Sequence, residues 1–142
     1  MLALTEALRV LKPGGLLCVA AIGRHAALLD GFFSGFITDP RLFAIVQAEL
    51  RDGCHHCPPG EPYFTTAYFH RPEELRAEAQ QAGVQVIDVY ALESFGAMLP
   101  DFDAKWNDPD YRELLLASIR LLETDPSLLG ISPHLLLLGR KG

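Results

Sequence analysis

Apolar and polar positions alternate along the chain in blocks that change period. In residues 2–11, Leu4, Ala7, Leu8 and Leu11 recur at helical spacing and predict a helix with one apolar face. Pro13-Gly14-Gly15 then breaks it, because Pro cannot continue a helix and Gly turns the chain at little steric cost. LLCVAAI, 16–22, is short, apolar on both faces and bounded by glycines, the pattern of a strand buried in a parallel sheet. His25 to Phe36 reads as a helix or helical turns.

Asp39-Pro40 reads as an N-cap followed by Pro at the first helical position. Leu42, Phe43, Val46 and Leu50 line the face of that helix, and Gly53 is its expected stop. Residues 53–64 are a loop rich in Pro and Gly, and 64–70 reads as a short extended stretch. Pro72-Glu73-Glu74 opens a further helix, with Leu75, Ala79 and Ala82 on one face and Gly83 at its end. VQVIDVY, 84–90, alternates like a strand. Residues 92–107 read as irregular. Asp108-Pro109 starts a helix with Tyr111, Leu114, Leu115, Ser118, Ile119 and Leu122 at helical spacing, and 134–141 is a terminal strand. Helices alternating with strands predict an α/β sheet with helices packed on it.

The 142 residues suffice for one domain with a core. Hydrophobic residues at 49% and charged residues at 21% exclude a disordered chain. With 12 Lys and Arg against 18 Asp and Glu, the net charge of -6 includes no basic footprint for nucleic acid or an anionic membrane. Cys18, Cys54 and Cys57 are too few for a disulfide framework, so reduced thiols and a cytoplasmic location are expected. Neither a secretory signal nor a run of the ~20 apolar residues that span a membrane is expected.

Three segments, ALRVLKPGGLLCVAAIGR at 7–24, YFHRPEELRAEAQQAGVQVIDVYALES at 68–94 and LLETDPSLLGISPHLLLLGRKG at 121–142, resemble class I S-adenosylmethionine-dependent methyltransferases, in a branch that acts on small molecules. The resemblance implies a Rossmann-like sheet of seven strands ordered 3-2-1-4-5-7-6, with the seventh antiparallel. The strands at 16–22, 84–90 and 134–141 would then be the fifth, sixth and seventh, a half-sheet ordered 5-7-6. The family's cofactor site lies in the other half, on a Gly-rich loop and an acidic strand end that this chain lacks. The expectation is a single partial domain over 1–142: a truncated gene product, a fragment, or half of a split enzyme. S-adenosylmethionine would be the cofactor of the full-length parent, with weak or no binding by this chain. The alternative is a non-catalytic binding or assembly module. It would use the open edge of 16–22 to pair with itself or with the missing half.

The resemblance also places the acceptor pocket in Arg24–Phe36 and Gly53–His70. Phe32, Phe33, Phe36, Tyr63, Phe64, Tyr68 and Phe69 would suit an apolar or aromatic acceptor, or serve only as packing. His70, His25 and His55 are the candidate general bases or acceptor-orienting groups, since histidine titrates near neutral pH; the alternative for each is a loop histidine. Arg24 would bind an acidic acceptor or pair with a carboxylate. Cys54-His55-His56-Cys57 offers zinc-ligating side chains, but four ligands in so tight a segment cannot surround one ion, so no metal is expected. A redox role for the two thiols is not expected either, since no helix N-terminus follows Cys54. Gly53, His55 and Pro58 match the branch's G-x-H-x-x-P loop.

Overall fold

The computed structural model describes residues 2–60 and 64–142. It is a mixed α/β chain, with six α-helices among the described residues and a small antiparallel sheet. Helix α1 (Leu2–Val10) leads into strand β1 (Leu16–Ile22), followed by α2 (Ala26–Phe33) and α3 (Pro40–Asp52). A two-residue ribbon, β2 (Cys54–His55) with β3 (Ala67–Tyr68), precedes α4 (Pro72–Gln81) and β4 (Val84–Ala91). Helices α5 (Phe102–Asn107) and α6 (Pro109–Leu122) come before the last strand, β5 (His134–Lys141).

The sheet order is β1-β5-β4, with β5 in the middle and antiparallel to both neighbours. Leu17 pairs with Gly139 and Val19 with Leu137, so the alternate residues Leu17, Val19 and Ala21 share one face with Leu135 and Leu137. That face carries the core. Leu4 and Leu8 of α1, and Leu75 and Ala79 of α4, pack there with Val84, Val89 and Ala91.

Several expectations are corrected. Strand β1 does not lie inside a parallel sheet. It is an edge strand, antiparallel to β5, and Leu16, Cys18 and Ala20 on its second face are exposed. An apolar run cannot by itself distinguish two covered faces from one. Cys18 is therefore accessible rather than buried. Phe43 is exposed on α3, and Glu49, not an apolar residue, completes the buried face beside Leu42 and Val46. The stretch 92–107 is not irregular: a short 3-10 turn, Ser94–Met98, leads into α5, where Phe102 stacks on Trp106 at 5.6 Å. On α6 only Leu115 is buried, while Leu114 is 70% exposed.

The expected caps are present. The Asp39 carboxylate accepts from the Arg41 amide, and the Asp108 carboxylate from those of Asp110 and Tyr111. No helix is long and apolar enough to cross a membrane among the described residues.

Candidate functional site

At the carboxyl end of β1 the chain opens a cleft of about 400 Å³, lined by Ile22, Phe33, Phe64, Phe69, Met98 and Ile131, with His55 among them. Its position follows from the connections. Gly23 leaves β1 and donates its amide to the Pro133 carbonyl at 2.8 Å, so β1 and the start of β5 end together. A side chain at Gly23 would run into the Ser132 carbonyl, which explains the glycine. The buried Ser132 hydroxyl accepts from the amides of Glu93 and Ser94 at 3.2 and 3.1 Å, fixing the turn that carries Ala97 and Met98 to the rim. Glu93 also accepts from the His134 amide at 3.1 Å.

His55 is 2% exposed and held on three sides. Its Nδ1 is hydrogen bonded to Oε2 of Glu49 at 2.8 Å. Its ring stacks on Phe69 at 5.1 Å, 8° from parallel, and Phe64 meets it edge-on at 6.1 Å. Among the described residues, Nε2 of His55 and Oε1 of Glu49 are buried without a hydrogen-bond partner. Leaving such an atom unsatisfied costs about 1–3 kcal/mol, so a fold that keeps one on each member of a hydrogen-bonded pair needs an explanation. Burial pushes the Glu49 carboxyl above its ordinary range, opposed by His55, then by Arg24 and His25. An adjoining depression, lined by Phe36, Arg41 and Leu42, shares His55 and Phe64 with the cleft.

The structure thus brings together Phe33, His55, Phe64 and Phe69, with Phe36 next door and Phe32 outside both hollows. Tyr63 lies outside the described residues. Arg24, Tyr68 and His70 form a separate cluster. Arg24, 2% exposed, donates through Nε to the Phe69 carbonyl at 2.8 Å. Its terminal nitrogen donates to Glu74 at 2.6 Å and to the Tyr68 hydroxyl at 3.2 Å. Of the two roles expected for Arg24, this is the carboxylate pair, with a buried rather than a surface guanidinium. Burial, and then the Glu74 charge, push the Tyr68 hydroxyl above its usual range. His70 lies 3.6 Å from Glu78 and against Tyr68. His25 donates through Nδ1 to the Gly130 carbonyl at 2.8 Å. Neither His70 nor His25 lines the cleft.

Sequence reasoning missed Glu49, Met98, Ile131 and His134 as cleft or cleft-supporting residues, and placed Asp30 only within the pocket segment Arg24–Phe36. The only signal for Glu49 was a carboxylate at the position an apolar residue should take on the α3 face. His134, at the rim, is paired with Glu93 at 2.6 Å.

In the turns beyond the strands the Arg24 amide donates to the His70 carbonyl and the Leu92 amide to the His134 carbonyl. Among the described residues, no group of three or more His, Cys, Asp or Glu side chains is placed to hold a metal ion. No protein-family model matches the chain, and no curated protein matches it.

Proposed function

We propose that this chain is the acceptor-binding side of an S-adenosylmethionine-dependent methyltransferase acting on a small molecule. The observation that carries the reading is the sheet order β1-β5-β4, with the last strand antiparallel between its neighbours. It is the order 5-7-6 that the motifs at 7–24, 68–94 and 121–142 imply. The cleft adds support. It sits beyond the carboxyl end of β1, where open α/β sheets place ligands, and its walls are apolar. Methyl transfer asks mainly for positioning, to which a cleft lined by Phe33, Phe64 and Phe69 is suited.

On this reading the cofactor is held by residues other than those described, packed against the open edge and second face of β1. Isothermal calorimetry tests this: chain 1–142 should give no measurable heat with S-adenosylhomocysteine. Micromolar binding would overturn the division of labour.

The open edge of β1 also favours a second reading, a non-catalytic assembly module. Beyond the single bridge from Gly23 to His70, no strand among the described residues pairs with that edge. A stable homodimer in light scattering, without cofactor affinity in the native protein, would select it.

A further inference from the structure

The cleft wall and His55 differ in chemistry. Apart from Asp30 and His134 the wall is apolar, while His55 has one ring nitrogen already used and one unused. His70 Nδ1 and Ser94 Oγ are also buried without a hydrogen-bond partner among the described residues, but neither residue lines the cleft, whereas His55 does. Here Glu49 fixes the ring through Nδ1, Phe69 fixes its plane, and Nε2 is left for something else. Phe64, 55% exposed, meets the His55 ring edge-on and lines both the cleft and the adjoining depression, so the side chain bordering the ring there is a surface one.

We propose that the cleft takes a neutral apolar ring compound bearing a hydroxyl group, and that this hydroxyl hydrogen bonds to Nε2 of His55. A hydroxyl donates and accepts, so it satisfies Nε2 in either tautomer that Glu49 can hold. An ammonium can only donate, so it would satisfy Nε2 only where that nitrogen carries no proton. A carboxylate can only accept, so it would satisfy Nε2 only where that nitrogen is protonated, and it would bring a charge into an apolar site next to an acidic side chain. The volume of about 400 Å³ lies in the range of small-molecule sites. The inference rests on the acceptor-side reading above and narrows it: the acceptor atom would be oxygen. His55 is here a binding residue, and Glu49 acts through it as a positioning residue.

The test is nitrogen-detected histidine NMR on ¹⁵N-labelled chain 1–142, titrated with 4-ethylphenol and, separately, with 4-ethyltoluene, which has a similar shape and can neither donate nor accept. The expected result is a shift of the His55 Nε2 resonance with the phenol alone, and phenol binding about tenfold tighter, as one added hydrogen bond gives. Equal affinity for the two compounds with Nε2 unmoved would overturn the proposal, as would a phenol that leaves Phe64 and Met98 undisturbed. The measurement uses the unaltered chain, so it does not depend on a His55 variant folding. A phenol-selective cleft in a native protein that never transfers methyl groups would sink the methyltransferase reading and leave this one standing. The reverse pair of results would do the opposite.

Discussion

Glu49 on α3 and His55 on β2 are hydrogen bonded at 2.8 Å, and both side chains are buried. The pair ties the start of the cleft loop to the helix that precedes it. Because burial raises the Glu49 carboxyl above its ordinary 4.5, the folded chain keeps that proton to higher pH than the unfolded chain does. The stability it contributes is complete below the unfolded value and is lost as pH rises through the folded one. Urea unfolding of the parent and of Glu49→Gln should therefore give a difference in stability that moves against the parent as pH rises from 4.5. A difference that is flat, or that favours the parent at higher pH, would show that Glu49 is not held this way.

Arg24 is predicted to be structural. Its guanidinium joins β1 to β3 and to the first turn of α4, where Glu74 also accepts from the Arg71 amide at 3.0 Å. Arg24→Met leaves the Phe69 carbonyl and Glu74 without this partner, and should cost about 3 kcal/mol in denaturant unfolding. Arg24→Lys should recover only part of that, since an ammonium cannot reproduce the planar fork. If Arg24→Met unfolds within 0.5 kcal/mol of the parent, a typical surface effect, the clamp is not structural.

Gly53 ends α3 with φ of 82° and lies against the Arg24 clamp. A Cβ there would come 2.5 Å from the Arg24 guanidinium and 2.8 Å from the Tyr68 ring. Gly53→Ala should cost at least about 1–2 kcal/mol for the left-handed backbone alone, and more if the clamp is displaced. Thermal unfolding checks the cost, and a change in Tyr68 fluorescence or NMR shift checks the displacement. An unaltered melting temperature would contradict both.

Cys18 reports on the open face of β1. It is exposed and lies in the same row as Leu16 and Ala20. In chain 1–142 its thiol should react with a disulfide reagent at nearly the rate of the unfolded chain. In native protein from its host, where the account has that face covered, the reaction should slow by an order of magnitude or more. Protection in the isolated chain would mean that its own residues already cover the face.

Much of the fold was legible in the sequence because it is written in local chemistry. Pro13-Gly14-Gly15, Asp39-Pro40 and Asp108-Pro109 mark helix ends through backbone geometry and side-chain capping, which need no distant partner. The burial of α3 and α6 was not legible in the same way. Leu114 and Phe43 obey the helical period yet face solvent, since a period says which residues share a side but not whether another element covers it. The candidate site was legible only in part. Phe33, His55 and Phe64 do meet in the cleft, whereas His25 and His70 lie outside it, His25 bonded to the Gly130 carbonyl and His70 set against Tyr68. The Glu49 partnership was hidden because its two members sit on successive elements joined by the tight turn at Gly53.

The central claim is that this chain supplies one side of a methyltransferase whose cofactor is held by other residues. Equilibrium dialysis against labelled S-adenosylhomocysteine tests it most directly, run on chain 1–142 and on native protein tagged at its C-terminus and purified from its host. The account predicts that the native protein binds the label, that peptide sequencing finds residues beyond these 142 in that material, with a Gly-rich strand–loop among them, and that chain 1–142 does not bind. Native protein that fails to retain the label would contradict it.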